Sequence, residues 1–463
     1  MPSSRCLLAG AAALLVAAYL SPALAAGMFL APRGVRPLGR AGAYVAGASD
    51  VNALSYNPAG LALAGNSVLV DFGYGVLGTD YTRRIDGGSP PLPTVHGTGL
   101  GIPSPTLGFT LAGVGRPEVS IGAAIAADYP LLQDWPCDLT GANPTPQRYA
   151  ICNFAGTGMA KAGFGGSYRF DERLVLGAEL ELMLGSFATE MVTSNCDGTI
   201  CTEAESPSYD AITQMTASGI VSPGVQLGVL YDALPWLRLG AALESGYYVV
   251  ANAKLRIRLP TAAIYDNATL DPAEPSARVT LILPPSLRLG AEARFAGTRL
   301  EVDLVYEMWS LHDKITIDAK SAVVRDVVAL GDYPLGKLTV DQGFRDSFGL
   351  RLGAESDLGL AVPGLFVRGG VVLERSAVPP EKLTAMTVDL NKVIPSLGAS
   401  YTFGAWTLDA VAAYVYMPQT TVTNSTALQT NATRPPWGGR TAIGNGTYAS
   451  RGEVFGLGVR YAW

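Results

Sequence analysis

Fourteen segments of this 463-residue chain alternate apolar and polar residues with a period of two, and the connections between them alternate in length. The segments span 67–84, 104–115, 118–129, 157–169, 174–191, 220–231, 237–258, 276–296, 299–318, 345–356, 364–376, 395–403, 406–417 and 452–463. Six short turns fall at 115–117, 170–173, 232–236, 297–298, 357–363 and 404–405. Seven long, polar, Pro-rich loops fall at 85–103, 130–156, 192–219, 259–275, 319–344, 377–394 and 418–451. Period-two patterning is the pattern of a strand with two unlike faces. Antiparallel strands with every short turn at one end and every long loop at the other describe a β-barrel with periplasmic turns and extracellular loops. A soluble sandwich gives no reason to keep that order.

The faces fit a bilayer. In 299–309, Leu300, Val302, Leu304, Tyr306 and Met308 share one face, opposite Glu301, Asp303, Val305 and Glu307. Phe348, Leu350, Leu352 and Ala354 oppose Arg351 and Glu355, and Glu179 and Glu181 again fall opposite an apolar face. The last strand puts Phe455, Leu457, Val459, Tyr461 and Trp463 together, ending on an aromatic as outer-membrane strands read by the barrel assembly machinery do. The pattern alone also admits the inverse, a soluble barrel with its apolar face inside. The N-terminus argues for export: residues 1–25 carry Arg5, an apolar stretch from Leu7 to Leu20 and the small-residue site Ala23-Leu24-Ala25, a secretory signal peptide.

Hydrophobic residues make up 48% of the chain and charged ones 16%, yet after the leader no segment supplies the roughly 20 mainly apolar residues of a spanning helix. A net charge of −6 without any basic run excludes nucleic acid as a partner. Beyond the leader lie four cysteines, an even number that in an exported chain favours disulfides. The pairs close in sequence are Cys137–Cys152 and Cys196–Cys201; free thiols are the other reading. Gly73–Gly78 fits G-x-G-x-x-G but no helix follows, and Gly331–Leu338 lacks the Ser or Thr of a P-loop. The two histidines, His96 and His312, sit in no nucleophile arrangement, so neither an enzyme nor a metal or cofactor site is expected.

Residues 27–66 break the alternation. Asn57 before Pro58 reads as an N-cap with proline at the first helical position, and 59–64 as a short helix closed by Gly65-Asn66. About 40 residues bury no core alone, and the interior of a fourteen-stranded barrel is wide enough to need filling. The fold expected is therefore all-β: a 14-stranded antiparallel transmembrane β-barrel with a small N-terminal helical plug.

Leu38-Gly39-Arg40-Ala41-Gly42 and Asn57-Pro58-Ala59-Gly60 resemble the N-terminal hatch of FadL-type outer-membrane transporters for long-chain fatty acids and hydrophobic compounds, a family that includes aromatic-hydrocarbon transporters. The stretches 344–356 and 365–380 and the aromatic end extend the resemblance over the chain after its leader.

The resemblance implies a signal peptide over 1–25, a hatch over 26–66 and a barrel over 67–463 in the outer membrane of a Gram-negative bacterium. It implies a monomer, with capture of a hydrophobic ligand by extracellular loops, a lumen pocket near Met28 and Phe29, and exit sideways into the bilayer through an inward kink in the third strand. Gly122, Ala126 and Asp128 are the kink candidates, and Arg351, Arg368 and Arg460 the lumen charges able to meet a carboxylate. A non-selective or differently selective outer-membrane porin and a surface binding or adhesion barrel are the competing readings.

Overall fold

The computed structural model describes residues 29–30, 33–99, 101, 103–127, 129–130, 133–138, 145–195, 201, 205–319, 321–429 and 441–463. The leader, Met28, Asp128 and Cys196, and with Cys196 the second expected disulfide, lie outside them. The strands form one closed antiparallel barrel of fourteen. Closure comes from the first strand, Ser67–Arg83, pairing with the last, Gly446–Ala462, from Ser67 opposite Ala462 to Arg83 opposite Gly446.

The orientation left open by the pattern is resolved by exposure. Leu300, Val302 and Leu304 stand on the outer surface while Glu301 and Asp303 are buried in the lumen, and Leu180 and Leu182 are exposed while Glu179 and Glu181 are not. Trp236 stacks on Phe295 and Tyr461 on Trp463 at the short-turn end, forming part of an aromatic girdle.

Several strands expected to be continuous are interrupted. The seventh is Leu237–Glu244 and Tyr247–Arg258, the eighth Ser276–Leu283 and Ser286–Phe295, the ninth Thr298–Glu307 and Lys314–Asp318. Pro284 and Pro285 have no N–H to give the ladder, and Gly246 across from them adopts φ 70°, which only glycine takes without strain. The expected loop 319–344 contains strand residues: Lys337–Asp341 begins the tenth strand, continued by Ser347–Asp357. The loop 85–103 likewise contains Val95–Gly99, the outer part of the second strand, which resumes at Pro103–Ala112. Hydrophobic alternation persists beyond the membrane only weakly, so polar outer strand ends read as loop.

The third strand, Val119–Ala127, pairs in unbroken register with the second and with the fourth, Gly158–Arg169. Beyond Ala127 it leaves that ladder: Gln133–Asp134 pairs with Val95–Gly99, and Tyr129–Pro130 pairs with Phe29–Leu30 from the N-terminal segment. Outside the membrane, Cys137 and Cys152 are disulfide-bonded.

Inside the barrel sits the hatch, with helices Val35–Gly39 and Ala53–Tyr56 and a 3₁₀ turn Pro58–Leu63. Ala41, Ala43, Val45, Ala46 and Ala48 are wholly buried, as a small-residue segment packed against a wall must be.

Candidate ligand-binding site

The floor of the site is the hatch, so its seating comes first. Asn57 caps the 3₁₀ turn through Oδ1, which accepts from Ala59 N at 3.1 Å, and its amide donates to the carbonyls of Val45 at 2.9 Å and Val229 at 3.0 Å. One side chain thus starts the 3₁₀ turn, ties two hatch segments and reaches the wall. Pro58 at the first position lacks the N–H that would otherwise need a partner.

Arg40, fully buried, holds Glu292 at 3.0 Å and Glu301 at 2.5 Å. The other Glu301 oxygen accepts from Ala46 N (2.6 Å) and Gly47 N (3.1 Å), and Asp303 accepts from Tyr44 N (2.8 Å) and Val45 N (3.1 Å). Arg36 spans Glu355 (3.0 Å) and the hatch's own Asp50 (3.2 Å). Val35 N donates to Asp71 at 2.9 Å. Wall carboxylates therefore take up backbone donors that a forty-residue plug leaves without helical partners.

The wall meets the hatch with glycine. A Cβ at Gly108 would strike Val51, at Gly177 the Pro58–Ala59 backbone, at Gly228 Asn57, at Gly240 and Gly290 the Val45–Ala46 segment, at Gly353 Arg40, and at Gly398 Gly39. All seven are preceded by leucine and followed by Ala, Val or Phe, a Leu-Gly-small or Leu-Gly-apolar triplet recurring in seven strands. In it leucine faces lipid and glycine faces the plug. Sequence reasoning missed this collar although the triplet was the signal for it.

On the extracellular side of the hatch lies a narrow cavity of about 70 Å³, partly open to solvent. Arg33, Ser55 and Tyr56 of the hatch form its floor; Met159, Met183, Leu283, Pro284, Tyr247 and Trp309 give apolar and aromatic walls. Its charges are Lys161, Glu244, Arg288, Glu307 and Arg351 beside Arg33. Glu244 is bonded by both Lys161 and Arg288, the latter at 2.6 Å, and Glu307 accepts from Trp309 Nε1 at 2.7 Å. Among the described residues Arg351 donates one hydrogen bond, to the Gly42 carbonyl at 3.4 Å, and its buried Nε has no partner. Trp309 is held from behind by Phe344 and by His312.

The site residues expected from sequence divide accordingly. Arg351 lines the cavity; Arg368 does not, being committed to Glu355 at 2.6 Å and Asp409 at 3.0 Å. Arg460 lies on the last strand opposite Leu69, at the periplasmic end. Phe29 pairs through its backbone with Pro130 at the break in the third strand. Gly122 and Ala126 sit in the regular ladder before that break, and Gly122 leaves room for Leu61 of the hatch. Leu38 and Gly39 are buried in the first hatch helix, and Ala59 and Gly60 in the 3₁₀ turn, where Gly60 rests on Ala48. Lys161, Tyr247, Arg288 and Trp309 were not anticipated, because inward residues of separate strands converge only once register is known.

Solved structures share this architecture at low sequence identity. A Pseudomonas aeruginosa FadL homologue aligns over 94% of this chain and 99% of its own, with 16% identity and a TM-score of 0.73. The Ralstonia pickettii toluene transporter TbuX aligns over 92% and 98%, with 16% identity and a TM-score of 0.59. The P. putida toluene transporter TodX aligns over 92% and 98%, with 14% identity and a TM-score of 0.61. No curated protein sequence matches the chain. The family model for the outer membrane protein transport protein (OMPP1/FadL/TodX) matches residues 118–463, three quarters of the chain, and the protein is a member of that outer-membrane transport family.

Proposed function

We propose that this protein carries hydrophobic molecules passively across the outer membrane, by capture at the extracellular loops, transfer to the lumen cavity above the hatch, and release sideways into the bilayer where the third strand leaves its ladder. The observation that carries the reading is the cavity itself: methionine, leucine, proline and aromatic walls on a closed floor, with Arg351 making no ion pair among the described residues. Such a site suits an apolar body with a single polar or anionic end, as in a long-chain fatty acid. Burying each CH₂ gains about 0.8 kcal/mol, so a lateral exit into lipid avoids returning that surface to water. Arg368 and Arg460 serve the hatch and the rim in this reading, not the ligand. The names of the toluene transporters make a neutral aromatic the second ligand class to try.

In this reading residues 1–25 are removed on export, 26–66 act as one gating unit, and the monomeric barrel presents Trp463 to the assembly machinery. The test is uptake of labelled dodecanoate and of toluene by cells that lack other such transporters, with the full chain and with residues 27–66 deleted. Uptake that depends on the full chain supports the reading. Uptake of both compounds indifferent to the chain and to the deletion would sink it.

A further inference from the structure

We infer that residues 376–391 form a second plug, which fills one side of the lumen and confines a hydrophobic ligand to the other, an inference that rests on the transport reading above. The segment joins the eleventh strand, Leu365–Glu374, to the twelfth, Lys392–Phe403, and falls in the stretch expected to be a polar extracellular loop. It folds inward instead. Only Pro380 and Asn391 of it are exposed, while Ala377, Val378, Leu383, Ala385, Val388 and Leu390 are buried.

Those apolar side chains share one core with Val415 and Met417 of the thirteenth strand, Trp406–Val422, with Tyr448 of the last strand and with Tyr81 of the first. Tyr414 and Tyr416, their neighbours on the thirteenth strand, are exposed on the outer face, so Val415 and Met417 belong to the inner one. A loop standing free would leave both apolar surfaces in water; packing one on the other removes them together. The wall is shaped to receive the segment: a Cβ at Gly444 would strike the Leu383 carbonyl, and Glu381 O accepts from Thr426 N at 2.7 Å.

The neck is closed by side chains. Asp389 Oδ2 accepts from Ala377 N at 2.8 Å and lies 2.9 Å from Ser376 Oγ, and its other oxygen pairs with Lys392. Ser376 N donates to Asn391 Oδ1 at 3.0 Å, and buried Lys392 is also 3.6 Å from Glu374. Buried ion pairs are costly to break singly, so the segment is a fixed body. Asp389 is its positioning residue, because one carboxylate holds both ends of the neck.

The cavity lies on the other side. Its lining comes from the hatch and from strands four, five and seven to ten; among the described residues none comes from 376–391 or from strands eleven to fourteen. Trp309, one of its walls, belongs to the same buried core as Leu383 and Val388, so the packed segment backs that wall. The plug therefore sets how broad a body the lumen admits.

Thiol labelling of the full chain in nanodiscs tests the placement, with a charged methanethiosulfonate reagent and the unsubstituted chain as blank. Met417→Cys puts a thiol under the segment and Met159→Cys one in the cavity wall. The cavity thiol should react, and the Met417→Cys thiol should be slower by about a hundredfold, as a site reached only by local opening is. Replacing 379–388 by Gly-Gly, which the touching neck residues allow, should bring the Met417→Cys thiol to the cavity rate. Asp389→Asn should speed it by about tenfold, the factor of one lost hydrogen bond between charged groups, with the Met159→Cys rate unchanged. Equal rates at the two thiols in the intact segment, or a Met417→Cys thiol still protected after the excision, would overturn the inference; an unresponsive Asp389→Asn chain overturns the role of Asp389. Confinement is read by uptake: 1-pyrenebutyrate, a carboxylate on a broad body, should enter cells carrying the excised chain about tenfold faster than cells carrying the intact one, with dodecanoate unchanged. Dodecanoate uptake with no gain for 1-pyrenebutyrate contradicts confinement. Labelling as stated in a chain that moves neither acid keeps the plug and removes the transport reading.

Discussion

The hatch meets two unlike walls. Toward strands eight to ten it is bolted by charge: Arg40 on Glu292 and Glu301, Arg36 on Glu355, and backbone donors of 44–47 on Glu301 and Asp303. Toward strands three to six it presents neutral side chains: Leu61 against Gly122, Leu54 against Gly165, Pro58 and Ala59 against Gly177, Asn57 against Gly228. The interrupted third strand lies on the neutral side. The contrast teaches where such a plug can yield. Ion pairs buried in a lumen are costly to break singly, whereas packed neutral contacts slide for the loss of dispersion and small apolar areas.

The comparison is broken most severely at Arg40. Arg40→Ala leaves two buried carboxylates without their cation and should cost about 3–5 kcal/mol, read as a lowered urea midpoint of the refolded barrel and as ion leakage. On the neutral side, Leu61→Ala should cost about 2–5 kcal/mol from lost burial and the cavity left beside Gly122, with the hatch still bound to the opposite wall. Gly177→Ala should cost about 1–3 kcal/mol, because the added methyl meets the Pro58–Ala59 backbone, and should raise exchange in 57–63 before 44–47. Asn57→Ala loses a cap and two carbonyl contacts, about 1–2 kcal/mol, the smallest effect. If Arg40→Ala and Asn57→Ala proved equally mild, the charged wall would not be the stronger one.

Much of this was legible in the sequence. The period of two, the alternation of connection lengths and the Asn57-Pro58 cap are local, so fourteen strands and a helical plug could be read directly. Orientation was less secure, because alternation has no inside or outside until Glu301 and Asp303 are seen buried beside exposed Leu300 and Leu304. The cavity was hardly legible at all. Arg351, Arg368 and Arg460 look alike as inward arginines, and only the cross-strand partners Glu355 and Asp409 separate the committed Arg368 from Arg351. The pairing of Phe29–Leu30 with Tyr129–Pro130 joins residues about a hundred positions apart through two backbone pairs, which no local pattern encodes.

The claim on which the rest depends is that the hatch closes the lumen to ions, leaving transport to a hydrophobic route. Conductance of the purified protein in planar bilayers, compared with the same chain lacking residues 27–66, measures it. The account predicts a nearly silent wild type and large, steady conductance after the deletion. Equal, large conductance from both would mean that the barrel is an open pore and that its plug does not plug.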